Sequence, residues 1–365
     1  MSKVRILPPP KNRDVMKQEL VKKVSKYIDT WRLLEPGELV LVAVSGGSDS
    51  VALGSILNQL ASKYRLKQHW VHINHQMRPD SSEDVSFVRQ LAERLRIPLS
   101  VETIEPTETA LYQKRSIEEV ARDLRFKVFE RVAQQVGSYR IALAHHRDDQ
   151  AETILMRIIR GCGMQGMTGM APSLCWGKYR IIRPLLESTK KELQEWLSYY
   201  GVPWREDITN QNKRYFRNKI RHHLIPILEK SYNNKIQARI ANLGSCLEAD
   251  QEYLEECAQR IYDELPVRSE NEIAVSLKGL LLLPKAMQRR VSRLAIAEIK
   301  GNTRGIDFRH WTELEDLYHF RPGRTIVHLP KGVIVQKFKG KVVFYRKEIH
   351  GREKKEEPQN TNTSA

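Results

Sequence analysis

The chain has 365 residues, 41% hydrophobic and 29% charged, and its 61 Lys and Arg against 44 Asp and Glu leave a formal charge of +17. This composition excludes a disordered or collagen-like chain, and at roughly 100–200 residues per domain the length suits two or three domains with at least one sizeable core. No uninterrupted apolar run approaches the ~18 residues of a membrane span, so a soluble chain with no membrane partner is expected.

The basic excess favours a polyanionic partner, because clustered Lys and Arg release counterions from phosphates. Four cysteines, Cys162, Cys175, Cys246 and Cys257, include no C-x-x-C pair and are too few for a disulfide scaffold. They fit a reducing compartment, either the cytoplasm or an organelle stroma.

Residues 1–36 begin MSKVRILPPPKNRD and lack the apolar segment and cleavage site of a secretory signal, so they read as an N-terminal extension. Residues 39–45 (LVLVAVS) form a β-branched run between glycines, the pattern of a buried parallel strand. After Ser45-Gly46-Gly47-Ser48-Asp49-Ser50, the spacing of Val51, Leu53, Ile56, Leu57 and Leu60 predicts a helix over 51–64. Strands follow at 68–74, 99–104 and 139–144, alternating with helices at 82–95, 116–135 and 149–160. Such βαβ succession predicts an α/β domain with a doubly wound parallel sheet over 37–223.

From residue 224 the pattern changes. Residues 225–262 and 278–300 show helical periodicity with no strand expected between them, which predicts a helical domain over 224–320. TIVHL, GVIVQKF and KVVFYR, separated by Pro330-Lys331-Gly332 and Lys339-Gly340-Lys341, predict a small β segment over 321–350. Eight basic residues and no acidic one fall within 321–347, and core packing of Phe338, Phe344 and Tyr345 is favoured over base stacking. Residues 351–365 are polar and read as a disordered tail.

The turn at Ser45, Gly46, Gly47, Ser48, Asp49 and Ser50 joins a strand to a helix, where backbone N–H groups and the helix dipole favour an anion. It lacks G-x-x-x-x-G-K-[ST], so it is not the loop whose lysine reaches a γ-phosphate. It resembles the PP-loop of the ATP pyrophosphatase superfamily, which cuts ATP between its α and β phosphates. Asp49 beside a triphosphate requires an intervening cation, and Mg2+ is the one implied. A helix N-cap is the plainer role for Asp49.

The second constellation is His145-His146-Arg147-Asp148-Asp149-Gln150-Ala151-Glu152-Thr153. It leaves the end of the 139–144 strand, and in open α/β sheets ligands bind beyond those ends, so it should share a crevice with the Ser45–Ser50 turn. Asp149 with Glu152 also matches a capping box with Asp as the cap. A zinc site is disfavoured, because no cysteine lies close and the HExxH spacing is missing. The glycines of the following loop, Arg160–Met170, suggest close approach of a ligand.

In order, SGGSDS, HHRDDQAETILMRIIRGCGMQGMTGM, EDITN and RNKIR resemble the signatures of the tRNA(Ile)-lysidine synthetase family, over roughly residues 38–230. The resemblance implies that ATP adenylates carbon 2 of the wobble cytidine in the CAU anticodon of an isoleucine tRNA, and that the ε-amine of free L-lysine then displaces AMP. It implies Arg125 as the cation at the α-phosphate, with Arg122 as a secondary candidate, His145 beside the adenylate, and Asp149 and Glu152 as the carboxylates holding lysine. A carboxylate or a histidine must also take the proton of the ε-amine.

Arg214, Arg217, Asn218 and Arg221 are the candidate tRNA-binding residues. The three arginines are expected on an outward stripe, while Phe216, Ile220 and Leu224 face inward. A homodimer is left open. The nearest rival is a PP-loop tRNA thiolase, which would call for paired cysteines that this chain lacks. A non-catalytic scaffold would not need both motifs intact, and an amidotransferase-coupled ligase would need a glutaminase segment that the chain does not offer.

Overall fold

The computed structural model describes residues 4–5, 13–75, 81–106, 109, 117–206, 216–269 and 271–346. Two compact units divide the chain, Met1–Glu248 and Ala249–Ala365.

The first unit is built on a six-stranded sheet. Its strands are β2 (Leu39–Ala43), β3 (Lys67–Asn74), β4 (Leu99–Thr103), β5 (Arg140–Ala142), β6 (Ser173–Trp176) and β7 (Tyr179–Ile182), in the order β4-β3-β2-β5-β7-β6. A short β1 (Val4–Arg5) pairs with β8 (Trp204–Arg205) apart from this sheet. All neighbours in the large sheet are parallel except β6, which returns antiparallel along β7. The hairpin β6–β7 was not expected from sequence; its strands are only four residues each.

Alternation along β2 explains why helices cover both faces. Val40 and Val42 join a core with the helices Ser48–Gln59, Ser81–Leu95 and Lys190–Tyr199, whereas Leu41 joins Val71, Ile141 and Val128, Phe129 and Val132 of the helix Ile117–Val136. The chain leaves β2 toward β3 and β4 on one side and reaches β5 and β7 on the other. This reversal lies between β2 and β5, which pair at Val42 and Ala142, and it opens a crevice at their carboxyl ends.

Residues 1–36 are not merely an extension. The helix Arg13–Thr30 places Leu20, Val24, Tyr27 and Ile28 in the main core, at the i, i+4, i+7, i+8 spacing of one helix face. The lysines between them take the solvent side.

The expected break at residue 224 is also displaced. The segment 216–231 stays within the first unit, and the long helix Ile236–Glu264 runs across the boundary between the units. Two strands missed by the periodicity, β9 (Pro266–Arg268) and β10 (Glu272–Ser276), join β11 (Ile326–Leu329), β12 (Val333–Phe338) and β13 (Lys341–Arg346) in one antiparallel sheet ordered β11-β12-β13-β10-β9.

The helices Lys285–Lys300 and Phe308–His319 pack on that sheet through Val291, Ala295, Ile296, Leu314 and Leu317 against Val333, Val335, Val342 and Phe344. The expected helical domain and β segment are therefore one unit, because neither helices nor sheet could bury their apolar face alone. Phe344 is core, as expected, while Phe338 remains partly exposed. The expected tail, 351–365, lies outside the described residues. No helix among the described residues is long and apolar enough to cross a membrane.

Because Ile28 is buried in the main core, Ile28→Ala should destabilise the protein by about 2–5 kcal/mol in denaturant unfolding. A loss under about 1 kcal/mol would show that the first helix is an appendage, since measurable core truncations cost more than that.

Candidate active site

Strand β2 stops at Ala43 because the chain is taken over by other partners. The Val44 N–H still reaches the Val71 carbonyl at 2.9 Å, and its own carbonyl lies 2.8 Å from His72 Nδ1. Gly46 then adopts φ +93°, where a side chain would be strained, and its carbonyl accepts from the Arg205 N–H at 2.9 Å. Arg205 is itself held by Glu83 at 2.8 Å and Asp84 at 2.7 Å, so β8 and the Ser81–Leu95 helix fix this turn.

Ser50 Oγ donates to the Gly47 carbonyl at 3.0 Å, accepts from the Ser45 N–H at 3.1 Å and lies 3.1 Å from Ser45 Oγ. The two hydroxyls brace the turn internally. Gly47 is the N-cap of the Ser48–Gln59 helix, and no side chain caps it, so the N–H groups of the first turn are left for a ligand. Asp49 is thus a first-turn residue and not the cap.

The helix Arg147–Ile159 starts from the end of β5 in the same crevice. Its N-cap is His146 rather than Asp149, and Asp149 reaches back to accept the His146 N–H at 3.2 Å. The His146 ring lies between two carboxylates from different motifs: Nε2 is 3.5 Å from Asp49 Oδ2 and 3.4 Å from Asp149 Oδ2. Lys190, the first residue of the Lys190–Tyr199 helix, places Nζ 3.8 Å from Asp49 Oδ2, and its N–H donates to Asp148 Oδ2 at 3.0 Å. The glycine turn and the acidic block therefore meet across one cleft.

Electrostatics separates the two histidines. Burial alone would lower His146, but Asp149, Asp49 and Asp148 raise it to about 9, so it is an imidazolium at neutral pH. His145 moves the other way. Burial, reinforced by Arg183, Arg217 and Arg125 against the pull of Asp149, brings it down to about 4, and its Nδ1 is buried with no hydrogen-bond partner among the described residues. Burial would raise Asp49, but the hydrogen bond and charge of His146, with Lys190 and Ser48, hold it at about 2. Its side chain retains 28% exposure, consistent with the floor of a cleft.

Arg217 and Arg221 do not form an outward stripe. Arg221 Nε contacts Glu152 Oε1 at 2.5 Å, and its Nη2 donates to Glu152 Oε2 at 2.9 Å and Asp149 Oδ1 at 3.0 Å. Arg217 Nη2 donates to Thr153 Oγ1 at 3.0 Å, with Nε 3.9 Å from Glu152. Asn218 is buried, and Arg214 lies outside the described residues. Two buried carboxylates need counter-cations, and that demand outweighs solvation of the arginines. The helix geometry also departs from the expected spacing: Ile220–Leu224 is a π turn, and Pro226 lacks the N–H that would bond the His222 carbonyl.

Burial raises Glu152 despite Arg221, whereas His146, His145, Arg217 and Arg221 together overcome burial to lower Asp149. Beyond His145 the wall is cationic. Arg125 is accessible yet crowded, and burial, Arg122 and Arg217 lower it; Arg183 is buried, and burial with Arg122 and Arg157 brings it to about 10. Arg122, Arg125 and Arg183 have no ion-pair partner among the described residues, an arrangement suited to phosphate oxygens.

Two glycines of the loop after Arg160, Gly166 and Gly169, serve packing. A Cβ at Gly166 would meet Cys162, and one at Gly169 would meet Gln150. Gln150 holds this loop through both amide atoms, donating to the Met170 carbonyl at 2.7 Å and accepting its N–H at 2.6 Å, while Arg157 donates to Gly166 and Gly169 carbonyls. His146 and Gln150 fall within the constellation read from sequence, though without an assigned role, whereas Arg157, Lys190, Arg183 and Arg205 were missed as parts of the site. Of these four, only Lys190 carried a local signal, the Thr189-to-Glu192 capping box that opens its helix.

A family model described as the PP-loop domain matches residues 16–228, more than half of the chain. A tRNA(Ile)-lysidine synthase of Symbiobacterium thermophilum is 34% identical over 335 residues, covering 90% of this chain and 69% of that one. The chain belongs to the tRNA(Ile)-lysidine synthase family. A tRNA(Ile)-lysidine synthase of Geobacter sulfurreducens is likewise 34% identical over 330 residues, with 90% and 69% covered.

Among solved structures, the U34-tRNA thiolase NcsA from Methanococcus maripaludis, with its [4Fe-4S] cluster, superposes with a TM-score of 0.53 at 16% identity, covering 64% of this chain and 80% of that chain; this likeness concerns the fold alone. As a member of the lysidine synthase family the chain is an enzyme, and its PP-loop domain binds ATP.

Gln150→Leu should release the 161–170 loop, at a cost of about 1–3 kcal/mol for the backbone groups left unpaired. Limited proteolysis should then cut within that loop, and a digestion pattern identical to wild type would contradict the latch.

Proposed function

We propose that the chain joins the ε-amine of free lysine to carbon 2 of the wobble cytidine in an isoleucine tRNA with a CAU anticodon, consuming ATP and releasing diphosphate and AMP. The observation that carries this reading is the meeting of an anion-facing turn with a buried carboxylate pair, Asp149 and Glu152, in one crevice. An enzyme that only adenylated its RNA would need the first feature but not the second. A sulfur-transferring reaction would need paired cysteines, and Cys162, Cys175, Cys246 and Cys257 contain no C-x-x-C.

In the first step the cytidine O2 attacks the α-phosphorus of ATP and diphosphate leaves. The uncapped N–H groups at Ser48, Asp49 and Ser50 and the unpaired Arg125 offset charge building on the phosphates. Asp49 is a single accessible carboxylate beside this turn, and no cluster of three or more His, Cys, Asp or Glu suited to a metal occurs among the described residues. That donor set fits Mg2+, which is commonly held by one or two carboxylates together with substrate phosphates. Asp49 would hold it, and the ion would neutralise charge on the leaving diphosphate.

In the second step the lysine ε-nitrogen bonds to carbon 2 and the C2–O2 bond breaks, with AMP departing. Asp149 and Glu152 hold the incoming cation near the adenylated base. The amine must lose a proton to attack, and neutral His145, with Nδ1 open, is the acceptor; His146 is already charged and cannot serve. Phosphates arriving beside Arg125 and Arg183 cancel cations that depress His145, so its basicity rises as ATP binds. Lys219, His222 and His223, exposed on the same segment as Arg217 and Arg221, provide the RNA-facing side.

Incubation with isoleucine tRNA, ATP and radiolabelled lysine should place label in the RNA with one AMP formed per label; AMP without label transfer would refute ligation. Asp49→Ala should abolish transfer while leaving tRNA affinity nearly unchanged, and full turnover would remove Asp49 from the site. Glu152→Gln should raise the KM for lysine more than that for ATP, and equal shifts would contradict its assignment to the amine.

A further inference from the structure

The oxygens that would receive an ammonium are already occupied. Arg221 spans Glu152 with Nε at 2.5 Å and Nη2 at 2.9 Å, and the same Nη2 reaches Asp149 at 3.0 Å. Glu152 is 2% exposed, so an approaching amine cannot use its free side while the guanidinium stays in place. An ammonium offers only donors, as a guanidinium does, and no acceptor through which both could be accommodated.

Neither cation can leave the pair bare. Removing one partner from a buried ion pair exposes an uncompensated charge and is strongly unfavourable. Replacing Arg221 by an ammonium conserves the local charge, so arrival of one and departure of the other form a single exchange.

Arg221 is placed to make it. Its side chain is 25% exposed, whereas Glu152 is enclosed, so the guanidinium side of the pair faces out. The residue sits on the π turn Ile220–Leu224, where the regular hydrogen-bond ladder is already relaxed. Its ion pairs among the described residues are those to Asp149 and Glu152.

We propose that Arg221 is a built-in competitor for the amine subsite, seated on Asp149 and Glu152 until substrate lysine displaces it. The proposal rests on the reading that these two carboxylates hold lysine and adds how that subsite is kept closed. The released guanidinium has a natural alternative partner. Its planar fork suits a phosphate, and Arg217, one turn earlier, lies near Arg125 on the cationic wall. RNA backbone at that wall draws Arg221 off the carboxylates, so tRNA and lysine bind with positive coupling.

The enzyme with no RNA then binds lysine with an apparent affinity reduced by the fraction of molecules in which Arg221 is displaced. Water and stray amines are thereby kept from the site before the nucleotide to be modified is present.

The test is equilibrium binding of radiolabelled lysine to the full chain, without and with tRNA. Arg221→Met keeps the side-chain bulk and removes the competing cation; it should bind lysine about tenfold more tightly than wild type without RNA. Adding tRNA should tighten wild type and leave Arg221→Met unchanged. Equal or weaker binding by an Arg221→Met protein that melts as wild type does would overturn the proposal, making Arg221 a support of the pocket.

Should Arg221→Met not fold, Arg221→Lys decides. Its lone ammonium holds the two carboxylates less well than the fork, so tighter lysine binding than wild type supports competition and equal or weaker binding overturns it. Glu152→Gln separates the two readings. Lysine binding undiminished in Glu152→Gln would overturn the lysine subsite and the competitor together, whereas its loss alongside an unimproved Arg221→Met would leave the subsite standing and remove the competitor alone.

Discussion

Negative charge taken out of water is what the first unit must accommodate. Asp49, Asp149 and Glu152 lie in or beside a crevice where an unpaired ion would cost several kcal/mol, and each is compensated by a cation from a separate stretch of chain. His146 comes from the end of β5, Lys190 from the start of a later helix and Arg221 from the segment after β8. These contacts bind together segments that lie far apart in sequence, Arg221 and Glu152 being 69 residues apart, and they set the crevice at the point where the sheet reverses its order. The apolar faces of the sheet supply stability, while the ion pairs determine which segments meet.

The adjacent histidines show how finely position acts. Both leave the same strand end and both lose water, yet one is ringed by carboxylates and the other by arginines. The first becomes a fixed cation joining Asp49 to Asp149; the second stays neutral with an open nitrogen. The difference between a charged ring and a neutral one follows from side-chain environment alone, and no property of the dipeptide His-His distinguishes them.

Much of this architecture was readable in the residues. The strands at 39–45, 68–74, 99–104 and 139–144 declared themselves through β-branched runs, and the PP-loop and acidic block through composition at strand ends. What escaped has physical causes. The first helix carries its apolar stripe, Leu20, Val24, Tyr27 and Ile28, among lysines that made the segment look like a surface arm. Strands β6, β7, β9 and β10 are three to five residues long and form hairpins outside the strand–helix alternation that marked β2 to β5. Periodicity could put Arg217 and Arg221 on one helix face, but not reveal that the face meets buried carboxylates. Likewise, the glycines of the 161–170 loop could not show that the space beside two of them is filled by Cys162 and Gln150.

The central claim is that nucleotide and amine occupy one crevice, on either side of the His146 bridge. It is tested most directly by paramagnetic broadening of the ε-carbon resonance of 13C-lysine when Mn2+·ATP is bound to the protein with tRNA present. The account predicts strong broadening that disappears in Asp49→Ala, where the ion loses its protein carboxylate. A lysine resonance that remains sharp while both ligands are bound would place the amine elsewhere and contradict the account.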